Sequence, residues 1–179
     1  MHYAVEKILV SEADIRNRSK ELGRQISEDY KNDGTIPYVV ALLKGSVPFL
    51  SELVKHIDLD ISFDFMDVSS YEGTESIGDI KVNKDLDCSV KGESILLVED
   101  IVDTGRTLKE VTRLLLNKGA REVKVVALLD KPSRRTVEIE ADYIGFEIPN
   151  EFVVGFGLDY NQLYRNLPFV GVLKKEIYE

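Results

Sequence analysis

The sequence predicts an α/β fold in which a doubly wound, mainly parallel sheet is flanked by helices. Short, continuous apolar runs are the pattern of strands buried on both faces of a parallel sheet. Helical stretches separate these runs at the spacing of strand–helix–strand units. Polar or charged residues follow several runs directly, and ligands bind beyond the carboxyl ends of strands in such sheets. The runs are residues 38–43, 94–98, 123–129 and 143–146.

The first elements follow from local signals. Residues 8–10 are apolar and predict a short strand. Ser11 and Asp14 have the spacing of a capping box, so we expect a helix that opens there and runs towards Tyr30. Residues 32–34, Asn-Asp-Gly, end this helix.

The next elements predict a long hairpin beside the sheet. Residues 47–55 follow the strand 38–43 and predict a helix, and residues 60–69 alternate apolar and polar side chains, as a strand does. Residues 70–78 contain two glycines and small polar side chains, which indicates a loop. Residues 79–86 then predict the returning strand.

The centre of the chain has the order buried strand, acidic turn, small-residue loop and helix. The strand 94–98 is followed by the turn 99–103, and the helix 106–117 ends at Lys118-Gly119. Small residues at a helix start expose backbone N–H groups to one point, which suits a phosphate group. The carboxylates in front of them would repel phosphate alone, but they suit a ligand with hydroxyl groups or a Mg²⁺ ion. This segment therefore predicts a sugar-phosphate site.

The composition argues against several classes of protein. The 179 residues, of which 44% are hydrophobic and 31% charged, suit one globular domain. The net charge of −9 argues against a broad nucleic-acid surface, and no apolar run is long enough to span a membrane. Cys88 is the single cysteine, which suits a reducing cytoplasm. His2 and His56 are too few for a zinc site.

Residues 98–108 resemble the motif of purine phosphoribosyltransferases of the hypoxanthine-guanine type. The motif has two hydrophobic positions, two acids, two hydrophobic positions and then Asp-Thr-Gly-Arg-Thr. Other segments resemble the family in the same order: 43–46, 70–74, 129–133, 145–155 and 158–165. The resemblance implies the type I phosphoribosyltransferase fold as one domain over 1–179. Its core would be about 37–148, with a long flexible hairpin loop and a small hood from parts of 1–36 and 149–179.

The implied reaction moves the phosphoribosyl group of 5-phospho-α-D-ribosyl 1-diphosphate to N9 of hypoxanthine or guanine, releasing pyrophosphate. Asp103 is the implied catalytic residue, as a general base or as a hydrogen-bond acceptor for the purine N7 proton. Mg²⁺ is the implied cofactor, with Glu99, Asp100 and Asp159 as candidate ligands. Residues expected to bind the donor are Lys44, Gly45, Ser70, Tyr71, Glu99, Asp100, Asp103, Thr104, Gly105, Arg106, Thr107 and Arg165.

The resemblance also assigns a base pocket and two details of the donor site. Residues expected to bind the purine are Lys131, Phe152, Val153 and Asp159. Lys131 would select a 6-oxo group, because an amino group presents its own N–H donors. The peptide between residues 43 and 44 is the candidate for a non-proline cis bond. Residues 70–74 would close over the site and keep water from an oxocarbenium-like transition state.

Two other functions stay open at this point. One is a phosphoribosyltransferase that prefers xanthine, which differs from guanine only at the 2-position. The other is a nucleotide-sensing regulator that binds RNA on the same fold, and the acidic net charge counts against it. The resemblance implies a homodimer or homotetramer. The single cysteine, the short apolar runs and the acidic charge lead us to expect a cytoplasmic protein with neither a membrane nor a nucleic acid as partner.

Overall fold

The computed structural model describes residues 2–70 and 80–179. Its strands are β1 (Val5–Val10), β2 (Tyr38–Leu42), β3 (Ser62–Ser70), β4 (Ile80–Lys84), β5 (Ser94–Val102), β6 (Glu122–Asp130), β7 (Tyr143–Glu147), β8 (Val153–Val154) and β9 (Val170–Leu173). Its α-helices are α1 (Glu12–Asp33), α2 (Val47–Leu53), α3 (Arg106–Asn117) and α4 (Lys175–Tyr178). Short 3₁₀ turns occupy Val54–His56 and Pro132–Arg134. None of the helices in these two ranges is both long and apolar enough to span a membrane.

The main sheet has six strands in the order β4-β3-β2-β5-β6-β7. Strands β2, β3, β5, β6 and β7 run parallel, and β4 runs antiparallel to β3 at one edge. Alternate residues of the central strands face opposite cores: Leu96 packs with the cluster that contains α1 and α2, whereas Leu97 packs with the cluster that contains α3. Helices therefore cover both faces, and the predicted doubly wound architecture is confirmed.

The long helix α1 confirms its sequence signals. The Ser11 side chain accepts from the Asp14 backbone N–H while the Asp14 side chain accepts from the Ser11 backbone N–H, which is a complete capping box. Gly34 ends the helix in the left-handed conformation at φ 66°. The buried face of α1 includes Ile15, Leu22 and Ile26, which pack on the main sheet.

Strand β5 is longer than the sequence predicted. We expected residues 99–103 to form a turn, but β5 continues to Val102 and pairs with β6 up to Asp130. The prediction of an acidic turn was wrong because adjacent carboxylates are poor strand formers by local preference, whereas here β6 supplies the hydrogen-bonding partner. Glu99 and Asp100 are consequently fixed by sheet hydrogen bonds and do not lie on a free loop.

A second sheet joins the two ends of the chain. Its order is β1-β9-β8, and both pairings are antiparallel. Only β1 was predicted among these strands, as residues 8–10. Gly171 lies where β9 meets β1, and a Cβ atom there would come within 2.6 Å of Val5 Cγ1. Side chains of all three strands, Val10, Val153 and Val170 among them, pack in the core cluster that also contains α1. The predicted division into core and hood stays a prediction.

Candidate active site

The carboxyl end of β5 carries two carboxylates in the middle of the main sheet. Burial raises the pKa of Glu99 well above its ordinary value, and the neighbouring charge of Asp100 raises it further. Burial also raises the pKa of Asp100 to about 6, against the lowering effect of its hydrogen bond from the Ile101 N–H and of the Arg165 charge. The Asp159 charge adds to the raising effect. The pair therefore forms a desolvated acidic patch.

The loop between β2 and α2 packs directly against this acidic patch. The peptide between Leu43 and Lys44 is cis, which confirms the prediction for that bond. Gly45 is buried, and a Cβ atom there would lie 1.6 Å from Asp100 Oδ2, so only glycine allows this approach. A Cβ atom on Gly157 would lie 1.9 Å from the Gly45 carbonyl oxygen. Three segments distant in sequence therefore meet at backbone contact.

The loop after β5 leads into the start of α3. Gly105 takes a left-handed conformation at φ 83° and precedes the first residue of the helix, Arg106. The Arg106 backbone N–H donates to Thr104 Oγ1 at 3.4 Å. Since the first N–H groups of a helix have no partner within it, this terminus offers donors to an anion. The residues predicted to bind the phosphate, Thr104 to Thr107, lie at this terminus.

A short segment that the sequence did not single out clamps this loop; we call residues 132–136 the clamp segment. The largely buried Arg135 guanidinium donates to the carbonyl oxygens of Val102 and Asp103 and pairs with the buried carboxylate of Asp130. The Thr136 N–H donates to the Thr104 carbonyl oxygen at 3.1 Å. The clamp segment therefore binds the carbonyl groups of the loop, and its Thr136 hydroxyl also accepts from Arg106 Nε at the start of α3, at 3.1 Å. In the sequence, this segment is marked only by two adjacent arginines, Arg134 and Arg135, shortly after a predicted strand.

A cavity of about 430 Å³ opens beside the loop. Of the predicted residues it is lined by Asp103, Lys131, Phe152, Val153 and Asp159, and its other lining residues are Ile101, Arg134, Asn150, Glu151, Leu158 and Tyr178. All the residues predicted to bind the purine are therefore brought together with the predicted catalytic group. A cavity of about 870 Å³, lined by Asp130, Pro132, Arg135, residues 136–140 and Ile144, contains none of the predicted residues.

Two of the residues that line the 430 Å³ cavity are charged groups of opposite sign, Lys131 and Asp103. Lys131 is buried, and burial lowers the pKa of its ammonium group, although the Asp103 charge acts in the opposite direction. Asp103 Oδ1 accepts from Arg134 Nε at 3.0 Å. The Lys131 backbone N–H donates to the Val102 carbonyl oxygen at 2.9 Å, which ties the lysine to the end of β5. The cavity thus contains a desolvated cation and a carboxylate held by an arginine.

Gln162 joins two of the predicted donor-binding cations. Its Oε1 accepts from Lys44 Nζ at 3.3 Å and from Arg165 Nη2 at 3.1 Å. Arg165 also pairs with Asp159 Oδ1 at 2.9 Å and donates to the Gly157 carbonyl oxygen at 2.7 Å. Sequence reasoning missed Gln162, since no motif position marks an exposed glutamine. The predicted residues Lys44, Asp159 and Arg165 consequently form one network above the acidic patch.

Two predicted donor-binding residues are not brought into this cluster. Ser70 is exposed at the end of β3, where it pairs with Ile80 of β4, and it does not line the 430 Å³ cavity. Tyr71, with the rest of the predicted closing loop, lies outside the described residues.

The acidic patch fits a metal ion that the ligand itself helps to hold. Within residues 2–70 and 80–179, no group of three or more His, Cys, Asp or Glu side chains is arranged to hold a metal ion. Mg²⁺ is commonly bound by one or two carboxylates together with substrate phosphates. The adjacent carboxylates of Glu99 and Asp100, whose pKa values are both raised by burial, have the donor set for this mode.

Comparison with known proteins gives consistent matches. The phosphoribosyl transferase domain family matches residues 11–161. The chain is 60% identical to the hypoxanthine-guanine phosphoribosyltransferase of Lactococcus lactis, over 98% of this chain and 94% of the relative. It is 53% identical to the Streptococcus pyogenes protein of the same name, over 97% and 96% of the two chains. A crystal structure of a Staphylococcus aureus hypoxanthine phosphoribosyltransferase matches with a TM-score of 0.94 and 50% identity, over 100% and 97% of the two chains.

Proposed function

This chain belongs to the phosphoribosyl transferase family, among its hypoxanthine-guanine members, and we propose that the 430 Å³ cavity is where it binds the purine. The chain is a purine-salvage enzyme that transfers the 5-phosphoribosyl group of 5-phospho-α-D-ribosyl 1-diphosphate to hypoxanthine or guanine. A bond forms between purine N9 and C1 of the ribose while the bond from C1 to the diphosphate oxygen breaks. The products are IMP or GMP and pyrophosphate.

The observation that carries the assignment of the cavity is that Lys131 and Asp103 both line it. A buried ammonium group is a strong donor for an exocyclic 6-oxygen, and it offers nothing to the 6-amino group of adenine. Asp103 then lies at the N7 side of the base, where it takes up the N7 proton or accepts its hydrogen bond as N9 attacks C1. Phe152 supplies an aromatic surface for the base, and Val153 the backbone groups for its edge.

We place the donor between the acidic patch and the start of α3. Residues 103–107 bind the 5-phosphate through backbone N–H groups and the hydroxyls of Thr104 and Thr107. Glu99 and Asp100 bind the ribose hydroxyls, directly or through Mg²⁺. Lys44 and Arg165 lie on the side of the departing pyrophosphate and stabilise its charge.

Magnesium is proposed as the cofactor on the donor set described above. Glu99 and Asp100 would hold it together with oxygens of the donor, and Asp159 would reach a second ion partly through water. When bound, Mg²⁺ neutralises charge on the diphosphate and so favours its departure. We further propose the cytoplasm as compartment and a homodimer or homotetramer as assembly.

An ultraviolet assay with the donor and Mg²⁺ tests the assignment directly. Hypoxanthine, guanine, xanthine and adenine are offered separately, and the nucleotide formed is followed. We expect turnover of hypoxanthine or guanine while adenine is inert. Turnover of xanthine alone would keep the reaction but contradict the role given to the base pocket, and binding of the donor without turnover of any base would favour the regulatory alternative.

A further inference from the structure

The ring of Phe152 is in contact with two other aromatic rings. The Tyr178 ring stacks on it with centroids 5.0 Å apart and planes 24° apart. The Tyr160 ring meets it edge-on, at 5.7 Å and 88°. Phe152 nevertheless stays 40% exposed, so part of its surface remains free. Its ring is therefore supported by two neighbours and still open towards the cavity that both Phe152 and Tyr178 line.

Tyr178 reaches this position through a firmly attached end of the chain. Helix α4 follows β9 directly, and the Leu173 N–H donates to the Phe152 carbonyl oxygen at 2.8 Å. The Lys174 N–H donates to the Ala4 carbonyl oxygen at 3.0 Å. Ile177 packs with the small core cluster that contains Ala4 and Leu173. The contact between the two rings is thus fixed by the terminal sheet.

The spacing of the rings decides on which side a base can stack. Aromatic pairs at centroid distances of about 4.5–7 Å are in contact, so a separation of 5.0 Å leaves no room for a third ring between Phe152 and Tyr178. On the cavity side, Ile101 and Leu158 provide apolar surface in the same lining as Lys131. A planar base therefore has the free side of Phe152 available and the Tyr178 side closed.

We infer that Tyr178 is a positioning residue for the purine, the outer layer of a stack in which Tyr178 supports Phe152 and Phe152 supports the base. This inference rests on the proposed function, because it takes the ligand of the cavity to be a purine. Tyr178 does not touch the base in this arrangement. Its effect is to hold the Phe152 ring in the orientation that the base requires, since a half-exposed ring without backing would rotate among several rotamers.

The test compares steady-state constants of variants at this position. We expect Tyr178→Ala to raise the KM for hypoxanthine about three- to ten-fold, the range for loss of one aromatic contact, while the KM for the donor changes less than about two-fold. Tyr178→Phe keeps the ring and should restore the wild-type KM. Tyr178→Leu keeps an apolar side chain if the alanine variant is poorly folded, and it should show the same rise. Glu176→Ala, on an exposed side of α4, is the matched control and should change neither constant.

The possible results separate this inference from the proposed function. An unchanged KM for hypoxanthine in Tyr178→Ala and Tyr178→Leu would overturn the positioning role. A lower KM would also overturn it, because Tyr178 would then occupy the place of the base. Equal increases for base and donor would indicate general loosening of the fold and contradict the role as well. If the wild-type protein converts neither hypoxanthine nor guanine, the proposed function fails, and this inference fails with it for a different reason.

Discussion

Lys131 is the residue on which the choice of base depends. We expect Lys131→Ala to raise the KM for hypoxanthine and guanine about ten- to hundred-fold, the range for loss of one charged hydrogen bond, and to leave the KM for the donor nearly unchanged. Lys131→Met, which keeps the length of the side chain without its charge, controls for the volume lost in the alanine variant. Equal losses for base and donor would indicate that this lysine is structural.

Asp103 combines a proposed chemical role with a fixed position. In Asp103→Asn the side-chain oxygen can still accept from Arg134 Nε, so we expect the loop to keep its geometry. The variant cannot take up a proton, and we expect kcat to fall about 10²-fold or more while the KM for the donor is retained. Steady-state kinetics with both substrates varied measure the two constants. An unchanged kcat would rule out the role.

Asp100 shows how a binding group can cost stability in the free protein. Burial raises its pKa to about 6, so the folded state binds a proton more tightly than the unfolded state does, and the free energy of unfolding falls as the pH rises from about 4 to about 6. Asp100→Asn removes this penalty. In the absence of ligands and Mg²⁺, we expect the variant to be about 1–3 kcal/mol more stable than the wild type above pH 6, and equal to it near pH 4. Urea unfolding at several pH values measures the difference, and a constant difference across this range would contradict it.

At the scale of elements, the clamp segment joins the phosphate-binding loop to β6. We expect Arg135→Ala to lower the free energy of unfolding by about 3–5 kcal/mol, because the Asp130 carboxylate is left buried without its partner. The KM for the donor should rise in the same variant, because the carbonyl groups of the loop lose their donor. Denaturant unfolding and steady-state kinetics measure the two effects.

Arg134→Ala is the matched control for stability. Its ion pair with Asp103 is about half exposed, and such pairs contribute about 0–1 kcal/mol. If both arginine variants lost the same stability, the special position of Arg135 would be refuted.

Elements with local signals were predictable, and elements formed by distant pairing were not. Helix α1 carries its own cap at Ser11, and α3 has a buried face made by Leu108, Val111 and Leu115 at helical spacing. The extension of β5 through Glu99 depends on a neighbouring strand, and no local preference reveals it. Strands β8 and β9 are short; β9 pairs with β1 from the other end of the chain and β8 pairs with β9, so nothing in their own residues marked them.

In the site, too, some residues were predictable from the sequence and others were not. The cavity brings together the four predicted purine-binding residues and the predicted catalytic Asp103. Asp103 and Lys131 directly follow the ends of β5 and β6, where the fold class itself places ligands. Arg135, Gln162 and Tyr178 were missed because their roles come from contacts with backbone or with other side chains of the site. Such supporting residues carry no motif of their own in a single sequence.

At the scale of the whole molecule, charge separates the enzyme from the RNA-binding alternative. A net charge of −9 repels a polyanion, and the cations at the site, Lys44 and Arg165, are tied to Gln162 and Asp159. We expect no RNA binding in a mobility-shift titration at low salt, under conditions in which the same sample converts hypoxanthine. RNA binding that weakens steeply as salt is added would contradict this and revive the regulator.

The pairing of β1 with β9 also has a consequence for synthesis on the ribosome. Val5 is synthesised well before its partner Leu173, which lies far along the chain. At translation rates of about 5–20 residues per second, β1 remains without its partner strand for on the order of ten seconds or more. The parallel sheet can form during that interval, whereas the wall of the cavity that contains Phe152 cannot. A nascent chain thus acquires its phosphate-binding loop well before its base pocket. A ribosome stalled late in translation would hold a chain with the phosphate-binding loop formed and the base pocket still incomplete.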